Sequence, residues 1–255
     1  MSFETFFASD KFNLFQTIIP YVGSKNGLFI YRVLVMIVLI FGYYCSIYTT
    51  AVNHNPERDW MWFSYFTNQN YVAITIYFLF SMVSYFRDVK GTLKGKISIS
   101  FLHTIVHIFY NILFPLAFIV TTVFWSLIFP FLDRSYFTFN HWAANIIQHF
   151  FQFVFLGIDW FFITIPTNYH HFIPMFVVGV AYLIFAQIYH LIYDIWIYGF
   201  LDPSFTKYWY LLYIGLVIVW TILGFVFAGI QNFKNRNRKF ISGNDNNENN
   251  DIELA

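Results

Sequence analysis

The chain has 255 residues, of which 58% are hydrophobic, 25% aromatic and 11% charged. Soluble domains run near 25% charged, so a water-coated globule is excluded. A net charge of +1 gives no basic footprint for nucleic acid, and a single cysteine, Cys45, excludes an intrachain disulfide framework, an iron–sulfur cluster and a cysteine-rich zinc site.

The first 27 residues lack the basic start and the cleavage site of a signal peptide. Phe3, Phe6, Phe7, Phe12, Leu14, Phe15 and Ile18 predict a short aromatic helix lying on the membrane surface. A bilayer core of about 30 Å needs roughly 20 apolar residues per helix. On that measure the chain reads as an all-α, polytopic bundle of six transmembrane helices, at 28–50, 63–86, 99–129, 141–164, 172–193 and 208–231. Continuous apolar runs, without alternation of period two, rule out a membrane β-barrel. Residues 232–255 are first basic and then Asn-rich and acidic, the composition of a disordered tail.

Orientation follows from lysine and arginine in the loops. Lys11, Lys25, Arg32, Arg87, Lys90, Lys94, Lys96, Lys234, Arg236, Arg238 and Lys239 fall on one side, against Arg58, Arg134 and Lys207 on the other. Both termini are therefore expected in the cytosol. Arg32 and Asp159 are the formally charged residues inside the spans. Arg32, one turn in, reads as a side chain that snorkels to the headgroups.

Polar residues at membrane depth carry the functional information. Thr67 lies about four residues, or roughly 6 Å, below the outer end of span two. His149 lies about eight residues, or roughly 12 Å, below the outer end of span four. Asn70, Asn145 and His190 fall in the same exoplasmic layer, and Asn145 and His149 share a helix face by their i, i+4 spacing. A neutral imidazole that takes the proton of a hydroxyl makes a nucleophile of it, so Thr67 and His149 form a candidate nucleophile and base. Asn70, Asn145 or His190 would stabilise an oxyanion or orient the base. No Gly-x-Ser-x-Gly elbow occurs, which excludes an α/β-hydrolase. A second group nearer the cytosol, His103, His107 and Asp159 with His170 or His171, offers an alternative reading as metal or haem ligands of an oxidoreductase. The bland readings are a threonine bonded to its own backbone and histidines that merely join helices.

Four stretches carry a family likeness: Tyr65-Phe66-Thr67-Asn68-Gln69-Asn70; Asn145 and His149 followed by Asp159-Trp160; Pro166-Thr167-Asn168-Tyr169-His170-His171 with Pro174; and Trp196-Ile197-Tyr198-Gly199-Phe200-Leu201-Asp202. In this order, over roughly residues 28–231, the chain resembles the androgen-induced-gene-1, or FAR-17a/AIG1-like, family of integral membrane proteins. Gly199 stands where that family usually has proline. The resemblance implies a Thr/His-dependent hydrolase of lipids in which one fatty acid is esterified to the hydroxyl of another. Thr67 would be the nucleophile and His149 the base, with no metal or organic cofactor. Its partner is then a lipid substrate that enters from the bilayer. A non-catalytic lipid-binding or signalling protein of the same fold is the alternative. The housing membrane is the endoplasmic reticulum or the plasma membrane, between which the sequence does not choose.

Overall fold

The computed structural model describes residues 2–52, 59–236 and 238; of the tail expected at 232–255, residues 232–235 are instead the end of the last helix, and 237 and 239–255 lie outside the described residues. The described chain is helical: α1 (Phe3–Phe6), α2 (Lys25–Val52), α3 (Phe66–Val89), α4 (Ser100–Val123), α5 (Phe139–Ile146), α6 (Gln152–Phe162), α7 (Phe172–Tyr193) and α8 (Trp209–Asn235), with short 3₁₀ and π turns between them. Among the described residues five helical stretches are long and apolar enough to cross a membrane: Lys25–Val52, Phe66–Val89, Ser100–Phe131, Tyr169–Tyr193 and Trp209–Asn235. These account for five of the six expected spans. The remaining one, 141–164, is folded as α5, a π-helical turn Ile147–Phe151 and α6. It is less apolar than the other five because it carries Asn145, Gln148, His149, Gln152 and Asp159.

The helices are apolar on the outside. On α2, Ile30, Leu34, Ile37, Tyr44 and Ile47 follow a helical period and are exposed, while Arg32, Val35, Leu39, Gly42 and Cys45 are buried. Lipid tails are as apolar as leucine, so burial of small and polar groups and close packing hold such a bundle together. Helix α7 packs along α8, α2 along α5, and α4 against both α3 and α6. At Gly42 the backbones come close: a Cβ there would stand 2.3 Å from Tyr71 Oη and 2.7 Å from Ile147 Cγ2. Glycine to alanine in a helix gains about 1 kcal/mol in propensity, whereas overpacking costs about 1–3 kcal/mol. The Tyr71 hydroxyl is fixed by donating to Leu39 O at 2.8 Å, so it cannot easily retreat. Gly42→Ala is therefore expected to lower the melting temperature of the detergent-purified protein, and a rise would show that Tyr71 and Ile147 yield freely.

One end of the bundle gathers basic residues. Lys25 at the start of α2 is ion-paired with Asp88 at the end of α3. Lys234 Nζ donates to Trp160 O at 2.6 Å and to Ile163 O at 3.0 Å, and Arg238 donates to Phe161 O at 2.8 Å. The aromatic N-terminal segment, expected on the membrane surface, is tucked into this same end. Phe7, Phe12, Leu14 and Ile18 are buried, and Ser9 Oγ bonds Thr104 Oγ1 at 2.7 Å. Leu14 N–H donates to Gly95 O at 2.9 Å.

The two intramembrane charges correct one expectation. Arg32 does not snorkel: it is 1% exposed and donates from Nε to Asp159 Oδ1 at 2.7 Å and from Nη2 to Oδ2 at 3.0 Å. The Tyr77 hydroxyl adds a short hydrogen bond to the same carboxylate. One cluster thus ties α2, α3 and α6 together.

Candidate active site

Thr67 stands in the first turn of α3, with Tyr65 as the N-cap residue. First-turn N–H groups have no partner within the helix, and here hydroxyls serve them. Phe66 N–H donates to Tyr182 Oη and to Tyr198 Oη, both at 3.1 Å, while Tyr182 Oη donates to Ser64 O at 3.0 Å. Asn68 Nδ2 donates to Trp62 O at 2.6 Å and Gln69 Nε2 to Phe63 O at 3.1 Å, which fastens the preceding segment over the helix start. Thr67 is buried. Its Oγ1 lies 3.5 Å from His149 Nδ1, at the long end of hydrogen-bond range.

His149 sits in the π-helical turn Ile147–Phe151. Its ring stacks face to face on Phe124, with centroids 3.4 Å apart and planes within 6°. Phe124 itself opens a second π-helical turn, Phe124–Ile128, at the end of α4. Trp125 Nε1 donates to the backbone oxygen of His149 at 3.3 Å. Two widened turns thus meet at the imidazole, and such turns occur frequently at functional sites. Ring stacking and a backbone anchor hold His149, in place of the carboxylate that orients the histidine of a serine-protease triad.

Tyr198, in the connection between α7 and α8, completes the cluster: its Oη accepts from Phe66 N–H, and it borders both cavities together with Thr67. Burial pushes its phenol above the ordinary tyrosine range, so it stays a proton donor at neutral pH. Residue-by-residue reading did not single it out; the signal was its place in the Trp196-Ile197-Tyr198 stretch.

Two cavities meet at Thr67. The inner one, about 570 Å³ including its open side, runs between α4, α7 and α8 and is lined by Thr67, Val120, Gly179, Leu216, Val217 and Trp220 among others. The outer one, about 1110 Å³ including its open mouth, is lined by Thr67, Asn68, Gln148, His149, Leu132 and Phe205 among others. Phe124, Ile128, Tyr198 and Phe200 border both.

Asn70, Asn145 and His190 line neither cavity. Asn70 Nδ2 reaches Gln152 Oε1 at 3.4 Å. Asn145 Nδ2 donates back to His141 O at 2.9 Å. His190 stacks on Trp196, with centroids 3.9 Å apart.

The inner histidines are not gathered with Asp159 as ligands. Among the described residues no group of three or more His, Cys, Asp or Glu is arranged to hold a metal ion. His103 Nε2 bonds Phe12 O at 3.2 Å and its Nδ1 accepts from Ile97 N–H at 3.3 Å. His107 Nε2 bonds Pro166 O at 2.7 Å, and His170 Nδ1 bonds Phe6 O at 2.7 Å. These rings fasten the N-terminal segment and the 163–168 connection to the helices, while Asp159 is taken by Arg32 and Tyr77.

No curated protein and no solved structure matches the chain. The family model described as FAR-17a/AIG1-like protein matches residues 28–232, across the five apolar helices, the π-interrupted helix and both cavities. The protein is an integral, multi-pass membrane protein, and it belongs to the FAR-17a/AIG1-like family.

Proposed function

We propose that the protein is an intramembrane hydrolase of lipid esters, such as fatty acid esters of hydroxy fatty acids, with Thr67 as nucleophile and His149 as general base. The observation that carries this reading is the hydroxyl–imidazole pair at the junction of two cavities, Oγ1 to Nδ1 3.5 Å. Such contacts often tighten only when substrate is bound. A lipid-binding protein without chemistry needs the cavities but not that pair.

The chain crosses the bilayer six times in this reading, with the π-interrupted helix as the fourth span. The end rich in lysine and arginine faces the cytosol together with both termini. The ester enters sideways from the bilayer. His149, protonated on Nε2, takes the Thr67 proton at Nδ1, and Oγ1 attacks the ester carbonyl. Tyr198 Oη donates to the oxyanion, and the N-terminal end of α3 supports the developing negative charge. His149 gives its proton to the departing alkoxide. It then activates the water that frees the acid from the acyl-threonine.

In membranes expressing the protein, Thr67→Ala is expected to lower kcat for such an ester by about 10³-fold or more. Thr67→Ser, which keeps a hydroxyl, is expected to retain part of the activity. Equal hydrolysis by wild type and Thr67→Ala would reject the nucleophile.

A further inference from the structure

The two cavities differ in what they share with the catalytic pair. Thr67 borders both, but His149 borders only the outer one, together with Asn68 and Gln148. In the inner cavity the polar side chains are Thr67, the Tyr182 and Tyr198 phenols and the Trp220 indole; the remaining lining is apolar. Acyl transfer imposes a direction on this layout. When Oγ1 has bonded to the carbonyl carbon, the bond to the alkyl oxygen breaks, and that oxygen must take the proton held by His149. The alkyl oxygen therefore faces the outer cavity. The remaining substituent of the carbonyl carbon, its hydrocarbon chain, is directed to the other side of Thr67.

We propose that the cavities are two substrate chambers: the inner one holds the acyl chain transferred to Thr67, and the outer one holds the alcohol half and later the attacking water. The division rests on the hydrolase reading above and adds to it which residues measure which half. A hydroxy fatty acid carries its own carboxylate, which needs a polar, open exit, and the outer cavity supplies one. Trp220 forms part of the inner cavity's wall, seated directly on Gly179, where a Cβ would stand 2.5 Å from Trp220 Cε3. Phe66 holds the indole from another side, ring centroids 4.9 Å apart. Trp220 and Val120 thus limit acyl length, while Leu132 limits the alcohol.

The test uses the full-length protein in membranes and two ester series. The first is p-nitrophenyl esters of short, medium and long saturated acids; the second is one fatty acid esterified to methanol, octanol or a hydroxy fatty acid. Trp220→Ala is expected to shift the acyl optimum to longer chains and Val120→Phe to shorter ones, with kcat/KM changing about fourfold per methylene gained or lost. Leu132→Trp is expected to alter preference in the second series and leave the acyl optimum in place. Trp220→Phe, a milder change, is expected to move the optimum in the direction of Trp220→Ala and serves where the alanine variant does not fold. An unmoved acyl optimum in the inner-cavity variants, or an effect of theirs confined to the alcohol series, overturns the division while leaving the hydrolase standing. A wild-type protein that cleaves no member of either series overturns both.

Discussion

Removing Asp159 by Asp159→Ala is expected to cost about 3–5 kcal/mol of stability, the usual penalty for stranding a buried charge. The carboxylate is 0% exposed and its partner Arg32 1% exposed, so no water is at hand to solvate the guanidinium left behind. Tyr77 loses its acceptor in the same step. Asp159→Asn is expected to be nearly as damaging, because a neutral amide does not balance the Arg32 charge. The pair as a whole is another matter, since the desolvation of two ions offsets most of their attraction. The double variant Arg32→Met/Asp159→Leu is thus expected to melt well above either single variant. A double-mutant cycle on the detergent-purified protein reads this coupling directly. Additive losses would show that the two charges do not depend on each other.

The two charges were legible in the sequence but their pairing was not, because Arg32 near a helix end reads as a side chain that snorkels to the headgroups. Arg32 and Asp159 are the formally charged residues within the expected spans, opposite in sign, and each lies roughly 6–8 Å from the same end of the bundle. Charges within a bundle commonly face its interior and pair with one another, and the structure shows Arg32 doing so with Asp159. Helix rise and loop charge led to the expectation that Thr67 and His149 share one layer of the bundle, and their side chains do meet. What the sequence does not announce is rotation about a helix axis. The π turns at Phe124–Ile128 and Ile147–Phe151 carry no residue signature, yet they set which side chains meet. Phe124 and His149 each lie in one of these turns, and their rings stack. Tyr198 escaped notice because it belongs to a connecting segment, where neither hydropathy nor periodicity places a side chain. The aromatic N-terminal segment carries the pattern of a surface helix, but its apolar residues found a protein groove lined by His103 and His107 instead of lipid.

His149→Ala is expected to lower kcat for ester hydrolysis by about 10²–10⁴-fold, the usual worth of a positioned general base. The variant is expected to fold, because removal of the ring breaks no ion pair and leaves its backbone anchor to Trp125 in place. Phe124 would lose its stacking partner, a deficit of about 0.5–1.5 kcal/mol, so melting temperature and activity should fall by very different proportions. His149→Gln, which keeps a polar group but cannot act as a base near neutral pH, is expected to be as slow as alanine. Recovery of activity in the glutamine variant would make His149 a positioning residue for Thr67 rather than a base.

The most direct measurement on the Thr67–His149 pair is tandem mass spectrometry of the purified protein after reaction with a fluorophosphonate. The expected result is a phosphonate adduct on Thr67, formed quickly by the wild type and slowly by His149→Ala. A protein that stays unlabelled, or that carries the adduct on another residue with Thr67 unmodified, would contradict the pair as nucleophile and base.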